Sequence, residues 1–233
     1  TCTRGCRFCA VNTALKGDAV DLEEPARLGE AVARLGLEYV VITSVDRDDL
    51  EDQGSDHIAG CVRAVRVQAP NTVVEALIPD FRGNESCLQT VLNAKPHVLS
   101  HNLETVERLQ THARDARANY EQSLAVLKNA KAFCPSIYTK SALMLGLGET
   151  REEVLKVLKD LRAINVDFLS LGQYLRPSQW HVPVHEYVSP ETFSFFEREG
   201  FEMGFRFVAA GPFVRSSYRA GEYFVRSLVR QTR

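Results

Sequence analysis

Three cysteines crowd the start of the chain, in the run Cys2-Thr3-Arg4-Gly5-Cys6-Arg7-Phe8-Cys9. Thiolates are soft ligands, and C-x3-C-x2-C spacing puts three of them on one tight loop. Such a loop can ligate three irons of a cubane four-iron cluster and leave the fourth iron open to a small molecule. Zinc is the competing reading, although structural zinc sites take four protein ligands rather than three. Cys61, Cys87 and Cys134 lie in separate segments, the first two in helix-like stretches and the third just before Pro135. They read as buried or incidental. A chain of 233 residues needs no disulfide staples, so the clustered cysteines require a metal or redox explanation and imply a reducing compartment.

A ligand loop needs a scaffold, and the chain alternates short aliphatic runs with amphipathic stretches. Residues 25–35, 55–68, 85–94, 103–113, 120–133, 151–164 and 190–199 carry helical spacing. Between them, 39–43, 72–78, 97–100, 141–147, 168–171 and 205–209 read as buried strands. Thr150 is the expected N-cap of the clearest helix. Regular alternation predicts parallel strands with helices outside, an α/β barrel, open or closed, whose chemistry gathers after the strand C-termini. No linker or repeat divides the sequence, so 1–233 is expected to be a single domain. The chain has no initiator Met and opens one residue before the cysteine motif. It therefore reads as a fragment of a longer protein, a barrel without its first strand.

Composition is ordinary, 45% hydrophobic and 25% charged. A net charge of −2 gives no general reason to expect nucleic acid or an anionic membrane as partner. No apolar run approaches the roughly 20 residues needed to span a bilayer.

With Phe8 as the aromatic, C-x3-C-x-aromatic-C resembles the signature of the radical S-adenosylmethionine superfamily. Further segments narrow the likeness. Val41-Ile42-Thr43-Ser44-Val45-Asp46-Arg47-Asp48-Asp49-Leu50, Pro79-Asp80-Phe81-Arg82-Gly83 and His101-Asn102-Leu103-Glu104-Thr105 resemble the lipoyl synthase family. So do Thr139-Lys140-Ser141, Leu143-Met144-Leu145-Gly146-Leu147-Gly148-Glu149-Thr150, Gly172-Gln173-Tyr174-Leu175-Arg176-Pro177-Ser178 and Gly211-Pro212-Phe213-Val214-Arg215-Ser216-Ser217-Tyr218.

The resemblance implies a partial or full (β/α) TIM-type barrel, with Cys2, Cys6 and Cys9 holding a 4Fe-4S cluster whose open iron chelates S-adenosylmethionine. One electron would cleave the sulfonium bond and release a 5′-deoxyadenosyl radical. Thr43 and Ser44 stand where the superfamily contacts the cofactor's amino group; capping of the local turn is the alternative. The roles of Asp46, Asp48 and Asp49 stay open between a solvated loop and a partner for the cofactor ammonium. Asn102 and Glu104 would meet the ribose diol, with helix capping by Asn102 as the competing reading. Met144, in a departure from the family's G-x-I-x-G-x-x-E segment, would face adenine. Gln173 and Tyr174 would contact adenine or the cofactor carboxylate, for which Lys140 and Arg176 are further candidates, a structural role being the alternative for each. Ser216 would ligate an auxiliary 4Fe-4S cluster that serves as sulfur donor. Family members bind that cluster with a C-x4-C-x5-C motif, which does not occur here, so this chain is expected to lack it.

The implied reaction is insertion of two sulfur atoms at C6 and C8 of an octanoyl chain. Implied partners are octanoylated lipoyl carrier domains (2-oxoacid dehydrogenase E2 subunits and the glycine cleavage H protein) and an electron donor such as ferredoxin or flavodoxin. The setting would be cytoplasm, or the matrix of a mitochondrion or plastid. Arg215, Arg219, Arg226, Arg230 and Arg233 make the tail basic, either to face an acidic carrier or as a plain solvated tail. A biotin-synthase-like sulfur inserter would share the first motif but not the Arg-Ser-Ser-Tyr tail. A non-catalytic iron–sulfur or zinc-binding module would share the cysteines alone.

Overall fold

Strands that bury both faces read as continuous aliphatic runs, and such runs pair in parallel when helices carry the chain back between them. The structure is a computed structural model that describes residues 1–217. Its strands are β1 (Tyr39–Thr43), β2 (Val73–Leu77), β3 (Val98–Ser100), β4 (Tyr138–Leu145), β5 (Phe168–Gln173) and β6 (Phe207–Gly211). They form one six-stranded sheet in chain order, with every pairing parallel. Helix α1 (Glu24–Leu35) leads into β1, and α2 (Ser55–Gln68), α3 (Glu85–Asn93), α4 (Gln110–Ala113), α5 (Tyr120–Phe133), α6 (Arg151–Ala163) and α7 (Pro190–Glu202) make the crossovers. β1 and β6 are the two edges. The architecture is the expected α/β one, a partial TIM-type barrel.

The period of two along each strand sorts the side chains. Ile42, Val74, Ala76 and Leu99 pack towards α1–α3, while Leu143, Leu169, Leu171 and Val208 pack with α6 and α7. Fully buried leucines such as Leu127, Leu158 and Leu161 contribute about 1.5–3 kcal/mol each. On the opposite, concave face, Tyr39, Val73, Val98, Tyr138, Phe168 and Phe207 form an apolar layer at the strand N-termini. One step further along the same face stand Glu75 and Lys140, and further still Ala142, Met144, Ser170 and Gly172. The concave side therefore runs from an apolar floor through a charged pair to an open mouth.

Thr150 caps α6 as expected, in a full capping box with Glu153. One expected helix is not formed as read. Over 103–113 the chain makes a 3₁₀ turn at Glu107–Leu109 and the short α4, and residues 103–106 before it are not helical. Glu104 there pairs with β4, its N–H donating to the Ala142 carbonyl (3.1 Å) and its carbonyl accepting from Met144 N–H (2.8 Å). Sheet pairing has overridden helical spacing. Of the basic tail and the Arg-Ser-Ser-Tyr motif, Tyr218, Arg219, Arg226, Arg230 and Arg233 lie outside the described residues.

His101, just past β3, is fully enclosed. Its Nδ1 donates to the Ile78 carbonyl (2.9 Å), and Nε2 accepts from Ser123 Oγ (3.1 Å), the tautomer that this network requires. Burial, assisted by the nearby Arg114 charge, lowers its pKa to about 4. The unfolded chain then binds more protons than the folded one between about pH 6.5 and 4, so stability falls as pH drops through that window. Denaturant titrations are expected to lose about 3 kcal/mol across it from this group. His101→Gln, which cannot titrate, should flatten the slope.

Candidate active site

The cysteine loop lies across the C-terminal ends of the strands, pinned by loops that follow four of them. Thr3 N–H donates to the Asp46 carbonyl (2.9 Å) after β1, and Arg7 N–H to the Ala113 carbonyl (2.8 Å) after β3. Also after β3, Asp115 accepts from Gly5 N–H (2.8 Å), and Arg117 Nη2 donates to the Thr3 carbonyl (2.7 Å). After β5, Val182 N–H donates to the Arg7 carbonyl (2.9 Å) and His181 Nε2 to the Cys9 carbonyl (3.0 Å). The fourth anchor, after β2, is reached by Arg4.

Arg4 is 2% exposed, and its planar fork meets three carboxylates. Nε and Nη2 donate to Asp48 (2.9 Å each), Nη1 and Nη2 to Asp80 (2.7 Å each), and Nη1 also reaches Asp46 at 3.1 Å. Asp48 and Asp80 thus take four hydrogen bonds from the fork, and Asp46 adds its charge beside it. Burial is the largest influence on Asp80 and would raise its pKa, but the Arg4 hydrogen bonds and charge bring it down to about 2. Asp46 is less well paired, and burial pushes it up to about 6. Two members of the Asp46/Asp48/Asp49 run thus serve Arg4, while Asp49 pairs with Arg47 (2.8 Å).

The thiols of Cys2, Cys6 and Cys9 are free and partly buried. Burial pushes Cys6 up to about 11 and raises Cys9 as well, so burial favours the neutral thiol at those two positions. Among the described residues no group of three or more His, Cys, Asp and Glu side chains is disposed to hold a single metal ion.

Phe8 carries the loop to a cavity of about 280 Å³ that Asn102, Glu104, Met144, Gln173, Tyr174 and Ser216 also line. Two features mark it as built for a ligand. Asn102 Oδ1 is buried with no hydrogen-bond partner. Glu104 sits in the left-handed region, at φ 68°, held there by its pairing with β4. Desolvation raises the Glu104 pKa, with Arg114 and the Asn102 amide opposing it.

Other expected contacts fall elsewhere. Thr43 and Ser44 line a separate cavity of about 740 Å³ along β1, where Ser44 Oγ donates to the Leu77 carbonyl (3.1 Å). Gln173 spends its amide on Val188 N–H and the Glu186 carbonyl, and the Tyr174 hydroxyl donates to Val182 (2.7 Å), so their polar atoms hold the loop after β5. Arg176 is exposed and binds the carbonyls of His181 and Gln179. Lys140 is buried against Glu75. Glu149 accepts the N–H groups of Gly146 and Leu147, fixing that turn. Sequence reasoning missed Arg4, Asp80, Arg114, Asp115 and His181. The one signal that could have pointed to Arg4 is its place between two ligand cysteines.

Comparison with known proteins decides the family. The Radical SAM superfamily matches residues 1–161. Lipoyl synthase from Thermus thermophilus is 56% identical over 229 residues, 98% of this chain and 71% of that protein. The chain belongs to the lipoyl synthase family. Mitochondrial lipoyl synthase of Drosophila melanogaster is 53% identical over 98% of this chain and 61% of its own length, so the chain spans less than two thirds of that relative. The crystal structure of methylornithine synthase, at 14% identity, shares the fold, with a TM-score of 0.68 over 89% of this chain and 60% of that one.

Family membership brings a four-iron cluster and S-adenosylmethionine as cofactors, and the three-thiol loop beside an unsatisfied polar pocket fits both. Lipoyl synthase relatives occur in a bacterium and in mitochondria. Among the described residues no helix is long and apolar enough to cross a membrane.

Because lysine cannot reproduce a five-donor fork, Arg4→Lys is expected to leave at least one aspartate unpaired. A loss of about 3 kcal/mol or more follows from stranding a buried charge. Thermal melts and iron content after anaerobic reconstitution check it; both should fall.

Proposed function

We propose that the protein inserts two sulfur atoms at C6 and C8 of an octanoyl chain carried by a lipoyl domain. The observation that carries this reading is the convergence of Phe8, Asn102, Glu104 and Met144 on one cavity beside the three-thiol loop. When bound, the cluster and S-adenosylmethionine supply one-electron cleavage to a carbon radical, the kind of reagent that unactivated C–H bonds require.

The chain's own residues bind, orient and exclude water. Cys2, Cys6 and Cys9 are the ligands of the cluster, on a loop that Arg4 holds rigid. Asn102 Oδ1, an acceptor without a donor, and the Glu104 carboxylate face a ribose diol, whose hydroxyls can donate to both. Met144, with Phe8 and Leu143, offers adenine an apolar wall. Thr43 and Ser44 at the β1 end would take the amino group of the cofactor's methionine moiety. Gln173 and Tyr174 shape the pocket through the loop they hold. Ser216, half-buried on the same wall, is the ligand proposed for the sulfur-donating auxiliary cluster of the full-length protein, whose C-x4-C-x5-C ligands do not occur in this chain. Octanoylated carrier domains are the protein substrates and a ferredoxin or flavodoxin the electron source, in cytoplasm or an organelle matrix.

Cys6→Ala is expected to abolish reductive cleavage of S-adenosylmethionine by the reconstituted protein, whereas Cys87→Ala leaves it intact. Cys87 is buried, with its thiol on the Asp52 carbonyl (3.3 Å). Equal loss in the two variants would refute the ligand assignment. Asn102→Ala should raise the KM for S-adenosylmethionine about tenfold, the worth of one or two polar contacts; an unchanged KM would remove the ribose role.

A further inference from the structure

Lys140 lies deep on the concave face, in the layer above the apolar floor, and all three of its ammonium hydrogens have acceptors. Nζ is 3.0 Å from each carboxylate oxygen of Glu75, which is fully buried, and 2.6 Å from the Ser216 carbonyl. The second Glu75 oxygen also accepts from the Tyr39 hydroxyl. No donor is left for a cofactor carboxylate.

The segment that Lys140 holds follows β6. It crosses the mouth over Gly172, where a Cβ would stand 2.1 Å from the Val214 carbonyl, so a side chain there would push the segment off. Arg215 Nη1 donates to the same carbonyl (2.7 Å). Val214, Arg215 and Ser216 then form one wall of the cavity that holds Asn102 and Glu104.

We infer that Lys140, anchored by Glu75, is a positioning residue that latches the strap Val214–Arg215–Ser216 across the barrel mouth, closing the pocket wall and setting where Ser216 stands. The latch itself follows from the geometry of this chain. Its consequence for S-adenosylmethionine rests on the function proposed above.

Lys140→Met strands the buried Glu75 carboxylate and can unfold the chain for that reason alone. The decisive variant is therefore Glu75→Gln/Lys140→Met, which removes both charges and leaves an amide for Tyr39. It is studied as the cluster-loaded chain under anaerobic conditions, with Gly172→Ala as an independent way to lift the strap. Tryptic cleavage after Arg215, followed by mass spectrometry, reads strap opening without reference to activity. Cleavage is expected to accelerate at least about tenfold in both variants while the Tm of the double variant stays near wild type, since a charge-assisted hydrogen bond is lost. The KM for S-adenosylmethionine should rise about as much, with kcat for its cleavage within about twofold. Cleavage after Arg215 within twofold of wild type in a folded double variant overturns the latch. If the double variant does not fold, unchanged cleavage in Gly172→Ala overturns the strap. A loosened strap with an unchanged KM overturns its role as a pocket wall. A wild-type chain that binds no S-adenosylmethionine counts against the proposed function, and the cleavage result still decides the latch.

Discussion

Parallel pairing in chain order is the constraint from which the rest follows. It sends every strand C-terminus to the same end of the sheet, so loops far apart in sequence meet there. Asp46, Asp80, Asp115 and His181 follow four different strands, yet all hold the one cysteine loop. The same pairing keeps the period of two in step across strands. That is why Glu75 and Lys140, 65 residues apart in sequence, share the concave face and reach each other.

Among the loop's anchors, the Arg4 guanidinium is the one that cannot be exchanged for a simpler contact. A buried cation is costly unless its donors are met; Asp48 and Asp80 take four hydrogen bonds from it, and Asp46 lies 3.1 Å away. The planar fork also fixes direction, which an ammonium would not. Arg117 lends a second cation to Asp48, at 3.2 Å. The excess of acid is concentrated on Asp46, whose carboxyl is pushed up to about 6 because burial outweighs its share of Arg4.

Within the pocket, polar groups divide into those already satisfied and those left over. Gln173, Tyr174, Arg176 and Lys140 bond to the protein's own backbone or carboxylates and act as scaffolding. Asn102 Oδ1 is not satisfied in that way. A buried acceptor without a donor is unfavourable in isolation, and a hydroxyl-bearing ligand relieves it. This contrast, more than residue type, separates candidate ligand contacts from walls.

The sequence by itself determined the three-thiol loop, since C-x3-C-x2-C is a local pattern. It also determined the α/β alternation and the capping box at Thr150, because periodicity and capping depend on neighbours within a turn or two. Helical spacing over 103–113 misled, because Glu104 is claimed by β4 across the sheet. Only the tertiary structure decided what Arg4, His181 and Lys140 do. The contacts that decide this span 42 to 172 residues, and no local pattern encodes them. Lys140 looked like a cofactor ligand beside its strand neighbours. Placed on the concave face opposite Glu75, it has every donor used by that carboxylate and the Ser216 carbonyl.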